Sequence, residues 1–128
     1  MYLLVLEESK MDGKEYNDWN NFGIRVKNAR NSLGMTVEKV AEKTNRTENF
    51  ITRIESGKKS CSIHTLYQLS KVLKISTDDL LYGGEVEEKT YSDEEIINNI
   101  IKKCNEKQLK IVKDVLIAMF PNFDELEK

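Results

Sequence analysis

Apolar positions along the chain recur at helical spacing in seven stretches, each set off by turn formers. Phe22, Val26, Ala29 and Leu33 fall at i, i+4, i+7 and i+11, which predicts a helix over residues 18–33 with Gly34 as its stop. Val40 and Ala41 share one face of a short second helix over residues 37–44, and Ile51 and Ile54 one face of a third over 48–56. Thr36 and Thr47 precede these two as N-caps, and Asn45 between them tolerates the left-handed backbone that a sharp corner needs. Two short helices meeting at a tight corner are the outline of a helix-turn-helix. Ser62 starts a fourth helix with Ile63, Leu66, Leu69, Val72 and Leu73 inward, and Ser76 with Asp79 starts a fifth that ends at Gly83. Neither central helix can bury its apolar face alone; five together can.

Beyond Gly83 the pattern changes. Residues 84–91, rich in turn formers and poor in apolar side chains, read as a flexible linker. Ser92 and Glu95 then form a capping box for a sixth helix with Ile96, Ile97, Ile100, Ile101 and Cys104 on one face. Asn105 and Gln108 cap a seventh carrying Leu109, Val112, Leu116, Met119 and Phe120 before Pro121 ends it, and Phe123 and Leu126 extend the apolar surface. This hairpin has more apolar face than it can cover by itself. Either it docks back on its own bundle or it pairs with a second copy. The homodimer is favoured, because two-fold assemblies are the commonest, with Ile97, Ile101, Leu109, Val112, Leu116 and Phe120 as the pairing surface.

Taken in order, Gly23, Arg30, Gly34, Thr36, Ala41, Thr47, Ile51, Ile54, Glu55, Gly57, Leu66, Leu73 and the closing STDDLL segment resemble the Cro/C1-type helix-turn-helix family, the xenobiotic-response-element-like bacterial and phage regulators. The resemblance covers residues 22–83, about half the chain. It implies an all-α fold, a five-helix lambda-repressor-like bundle that puts its third helix in the DNA major groove, followed here by the C-terminal two-helix hairpin. It also implies an ion pair between Arg30 and Glu55 that fastens helix 1 to the end of helix 3. The chain departs from the family pattern at Val37, where Gln is usual, at Glu48, where a polar or basic residue is usual, and at Cys61, where Pro is usual.

With Ile51 and Ile54 inward, Glu48, Asn49, Thr52 and Arg53 point outward on the first half of helix 3, where base edges are reached. Arg53 suits a bidentate contact to guanine and Asn49 one to adenine; Thr52 offers a methyl and a hydroxyl, and Glu48 can accept from a cytosine amino group. Phe50 is expected to wedge against helix 2. Lys58 and Lys59 after the Gly57 stop, with Thr36 and Thr47 at helix N-termini, are candidate phosphate contacts.

Charge strengthens this reading. The formal net charge is −2, but residues 22–83 carry eleven basic and six acidic groups, against two and five in residues 1–21 and seven and eleven in residues 84–128. The positive segment is the one that would meet phosphates. Residues 1–21 are an N-terminal extension in which residues 2–6 are apolar. They lack a basic start and run into Glu7 and Glu8, so they do not read as a signal peptide; they are expected to bury against a dimer partner or the C-terminal helices. Met11 is a second candidate start, since the helix-turn-helix needs nothing before it. Trp19 is expected to pack at the start of helix 1. No run approaches the roughly 18 apolar residues of a membrane span, so a cytoplasmic protein is expected.

Catalytic chemistry has little to work with. His64 is the sole histidine, Cys61 and Cys104 read as reduced thiols rather than zinc ligands, and no phosphate loop, acidic metal cluster or activated nucleophile is recognisable. The expectation is no enzyme, no metal and no cofactor. The sequence therefore predicts a dimeric, sequence-specific, double-stranded-DNA-binding transcriptional regulator, a repressor of a pseudo-palindromic operator. The alternative is an antitoxin-like protein whose hairpin binds another protein, with DNA binding secondary.

Overall fold

A computed structural model describes residues 19–121, which form seven helices and no strand. The expectations for residues 2–6, Met11, a helix start at Asp18, Phe123 and Leu126 lie outside the described residues. Within them α1 covers residues 19–32. It is followed by α2 (Val37–Thr44), α3 (Glu48–Glu55), α4 (Ile63–Leu73), α5 (Thr77–Tyr82), α6 (Asp93–Lys103) and α7 (Glu106–Met119).

Helices α2 to α7 each begin behind a side chain that accepts a hydrogen bond from a first-turn N–H: Thr36, Thr47, Ser62, Ser76, Ser92 and Asn105. Asn105 and Gln108 complete a full capping box. At Ser92 the hydroxyl instead accepts from the Glu95 N–H and donates to the Glu95 carboxylate, both at 3.2 Å. Four helices stop in the same way, with a left-handed residue followed by an N–H that reaches back five residues. Gly34 (φ 67°), Asn45 (φ 55°), Gly57 (φ 77°) and Lys74 (φ 56°) are the left-handed residues. The returning bonds run from Met35 to Arg30 O, Arg46 to Ala41 O, Lys58 to Arg53 O and Ile75 to Ser70 O, at 2.9–3.2 Å.

The core is formed by Phe22, Val26, Val40, Ala41, Ile51, Ile54, Leu69, Leu73 and Leu80, with Trp19, Val37, Phe50, Cys61, Leu66 and Val72 packed on its margin. Trp19 meets Phe22 edge to face at 5.3 Å. Ile63, expected inward, is 86% exposed. It is the first residue of α4 and projects past the edge of the core, while Thr65, 1% exposed, takes the slot one turn before Leu69. Gly23 brings α1 against the end of α3 so closely that a Cβ there would collide with the carbonyl oxygens of Ile54 and Glu55.

Residues 84–91 are held to α1 along their length, contrary to the flexible linker expected. Arg25, 8% exposed, donates to the carbonyls of Leu80 (2.7 Å) and Leu81 (3.1 Å) at the end of α5 and to Gly84 O (3.0 Å from Nε). Asn28 bonds Glu87 O and the Lys89 N–H, and Lys27 pairs with Glu88. The segment is a strap whose partners are main-chain atoms, which is why its polar composition misled. Helix α6 then docks on its own bundle: Asn99 donates to Ser32 O, Lys103 to Lys74 O, and Ile96 lies over Gly34. Yet no residue of α6 or α7 is buried.

Candidate nucleic-acid interface

The Asn45 turn sets α3 across α2, and the two threonine caps fix where each helix starts. Ile51 and Ile54 are both 0% exposed, so the opposite side of α3 faces outward. Glu48, Asn49, Thr52 and Arg53 all stand exposed there. The Arg53 side chain has no hydrogen-bond or ion-pair partner among the described residues, so its five donors are available to a base edge. Glu48 and Asn49 lie in the first turn, where Glu48 also meets the positive end of the helix dipole.

The phosphate candidates surround this face. Thr36 Oγ1 accepts from Lys39 N at 3.0 Å and Thr47 Oγ1 from Phe50 N at 3.1 Å. Each hydroxyl keeps its proton to donate to a phosphate oxygen. Lys58 is exposed just past the left-handed Gly57. Lys59 is half-buried with its ammonium 5.2 Å from the centre of the Phe50 ring.

Arg46 escaped the sequence reading. It sits in the turn between α2 and α3, donates from Nη2 to Thr65 Oγ1 at 3.0 Å and lies 5.0 Å from the Phe50 ring centre. Phe50 thus carries two cations as well as packing on the core margin, and the turn, α3 and the start of α4 are tied together through Arg46. The signal available in the sequence was a cation four residues before an aromatic in a segment already assigned to DNA, but nothing local indicated Thr65 as its second partner.

Behind the exposed face of α3, Arg30 grips Glu55 in a two-pronged pair, Nε to Oε2 at 2.7 Å and Nη2 to Oε1 at 2.9 Å, while Nη1 donates to Met35 O at 2.9 Å. The side chains are only 10% and 7% exposed. A planar guanidinium holding a carboxylate in this way fixes direction as well as distance, and so sets the end of α3 on α1. Val37, at the position where the family usually has Gln, turns onto the core margin. Cys61 is half-buried there too, and burial pushes its thiol above the ordinary value of 9.0.

The pairing candidates lie apart from this face, on the hairpin. Ile97 (54% exposed), Leu109 (38%), Leu116 (47%) and Phe120 (69%) are open, while Ile101 and Val112 are half-buried. Ile111, Val115, Ile117 and Met119 are exposed as well, so α7 is apolar on more of its circumference than the Leu109–Val112–Leu116 stripe indicated. An apolar groove of about 410 Å3 runs between hairpin and bundle, lined by Leu33, Met35, Val72, Ile100, Ile111 and Val112. Among the described residues no group of His, Cys, Asp and Glu could hold a metal, and no helix is long and apolar enough to cross a membrane.

Comparison with known proteins agrees with this geometry. A helix-turn-helix family model matches residues 26–80. The HTH-type transcriptional regulator ImmR of Bacillus subtilis (strain 168) is 30% identical over 108 residues, covering 84% of this chain and 80% of that protein. An uncharacterized HTH-type transcriptional regulator, YonR, derived from the SPbeta prophage of the same organism, is 33% identical over 78 residues, or 61% of this chain and 69% of its own. With its capped α2 and α3, its left-handed turn and an outward polar face on α3, the chain belongs to the Cro/C1-type helix-turn-helix family of DNA-binding transcriptional regulators.

Proposed function

We propose that this regulator is a sequence-specific repressor that binds a pseudo-palindromic operator as a two-fold dimer. The observation that carries the proposal is α3 itself: two isoleucines fully buried behind four exposed side chains of base-reading type, one of them an arginine with no protein partner among the described residues. Glu48, Asn49, Thr52 and Arg53 read base edges, and Thr36, Thr47, Lys58, Lys59 and Arg46 position the duplex through its phosphates. The dimer forms through Ile97, Ile101, Leu109, Val112, Leu116 and Phe120 of the hairpin; the exposure of Ile97, Leu109, Leu116 and Phe120, with Ile101 and Val112 only half-buried, supports a covered state. Such a regulator works in the cytoplasm, on the chromosome.

The test is selection from a randomised duplex library by the purified protein at near-physiological salt. Enrichment of a pseudo-palindrome with half-site centres about 34 Å apart, one DNA turn, is expected. Salt-sensitive binding to any duplex without enrichment would refute sequence reading. The exposed apolar surface of α7 also favours a second reading, in which the hairpin binds a different protein. Isolation of an equimolar second polypeptide on α7, displacing the homodimer, would establish that reading instead.

A further inference from the structure

Helix α1 is the bar to which both the recognition helix and the hairpin are fastened. On one side, Gly23 and the Arg30–Glu55 pair seat the end of α3 on it. On the other, Asn28, 7% exposed, uses both ends of its amide on the strap. Its Nδ2 donates to Glu87 O at 2.9 Å and its Oδ1 accepts from Lys89 N at 2.9 Å. Two opposed hydrogen bonds from one planar amide act as a rung of a sheet ladder and fix the strap in rotation as well as position. Farther along, Asn99 donates to Ser32 O at 3.1 Å and Lys103 to Lys74 O at 2.6 Å, keying α6 to the ends of α1 and α4.

Burial alone does not set this orientation, although Ile96 and Ile101 are half-buried. No residue of α6 or α7 is buried, and apolar contact is in any case non-directional. The directional restraints on the angle between hairpin and recognition helix are therefore polar bonds, and Asn28 alone holds the strap through both a donor and an acceptor.

We propose that Asn28 is a positioning residue that fixes the distance and angle between the two recognition helices of the dimer, and with them the half-site spacing the protein accepts. The inference rests on the two-fold dimer described above. Each base pair of changed spacing moves a half-site by about 3.4 Å along the duplex and about 35° around it. A rigid connection meets that shift with strain, and a loosened one by swinging.

The experiment uses the full chain as wild type, Asn28→Ala and Asn99→Ala, the last leaving the strap untouched. Affinities are measured for duplexes carrying the selected half-sites at the best spacing, at spacings one and two base pairs away, and for a single half-site, with dimer mass determined by sedimentation. Wild type is expected to lose about tenfold per base pair of misspacing, and Asn28→Ala less than about threefold, because only a rigid pair forfeits simultaneous engagement. Asn99→Ala is expected to fall between, and single half-site affinity and dimer mass to stay unchanged in both variants. Identical spacing profiles in three dimeric proteins would overturn the proposal. So would an Asn28→Ala variant that loses as much on a single half-site as on the pair, since Asn28 would then act on the bundle itself. A monomeric wild type without DNA would refute the dimer reading, and the inference with it.

Discussion

Arg53 and Lys58 are both exposed cations near the same face, yet removing them should have different effects. Arg53 stands exposed on α3 and is proposed to read a base edge, so Arg53→Ala is expected to cost about 1–3 kcal/mol on the preferred site and to relax one base position. Equal losses on preferred and random duplexes, measured by competition, would remove it from the reading set. Lys58 lies past the helix stop, and Lys58→Ala should weaken all sequences alike and flatten the log–log salt dependence by about one unit. An unchanged slope would take it off the phosphate contacts. Cys61 offers a third residue-scale test. Its thiol is raised by burial, so less of it is thiolate, and iodoacetamide at about pH 8 should modify it more slowly in the folded protein than in the denatured chain. Because the folded value lies above the unfolded one, the linked stability is full below the ordinary thiol range and falls as pH rises through it.

At the scale of elements, α1 lies against the end of α3 with no room for a side chain at Gly23. Gly23→Ala would push a methyl into main-chain oxygens that cannot rotate away, and a loss of about 3 kcal/mol in chemical denaturation is expected. A variant as stable as wild type would show that α1 can slide on α3. The helices themselves were legible in sequence because their determinants are local: Thr36, Thr47, Ser62, Ser76, Ser92 and Asn105 act on N–H groups within the next turn. The stop at Lys74 was not, since lysine carries no preference for the left-handed region it occupies. Ile63 was misplaced because periodicity knows the angle around a helix and not where the core ends. Arg25 and Asn28 were silent for another reason. Their partners are main-chain atoms 55 to 61 residues away, and a carbonyl looks the same in every residue type. The outward residues of α3 were legible for the same local reason as the helices, whereas Arg46 required knowledge that Thr65 lies beside it.

At the scale of the whole molecule, the bundle and the hairpin are of different construction. The bundle closes around Ile51, Ile54, Leu69 and Leu80, all 0% exposed, and carries the positive charge; the hairpin has no interior and an acidic first turn of Asp93, Glu94 and Glu95. If the hairpin is covered by a second copy, Leu116→Glu should convert the dimer to a monomer in sedimentation. It should lower affinity for paired half-sites by about 100-fold and leave a single half-site unaffected. A variant that stays dimeric would place the interface elsewhere.

The way α6 is attached also governs what unfolding measurements register. Denaturant sensitivity and heat capacity both scale with the surface, chiefly apolar, that is exposed when structure is lost. Lifting a single chain's α6 off its bundle breaks the bonds of Asn99 and Lys103 but frees no α6 side chain from full burial, so a calorimeter or a urea titration would record it only weakly. The Lys89 amide, held by Asn28, would record release of the strap through its rate of hydrogen exchange. Tail release and bundle melting thus call for separate probes, and a thermal midpoint reports chiefly the second.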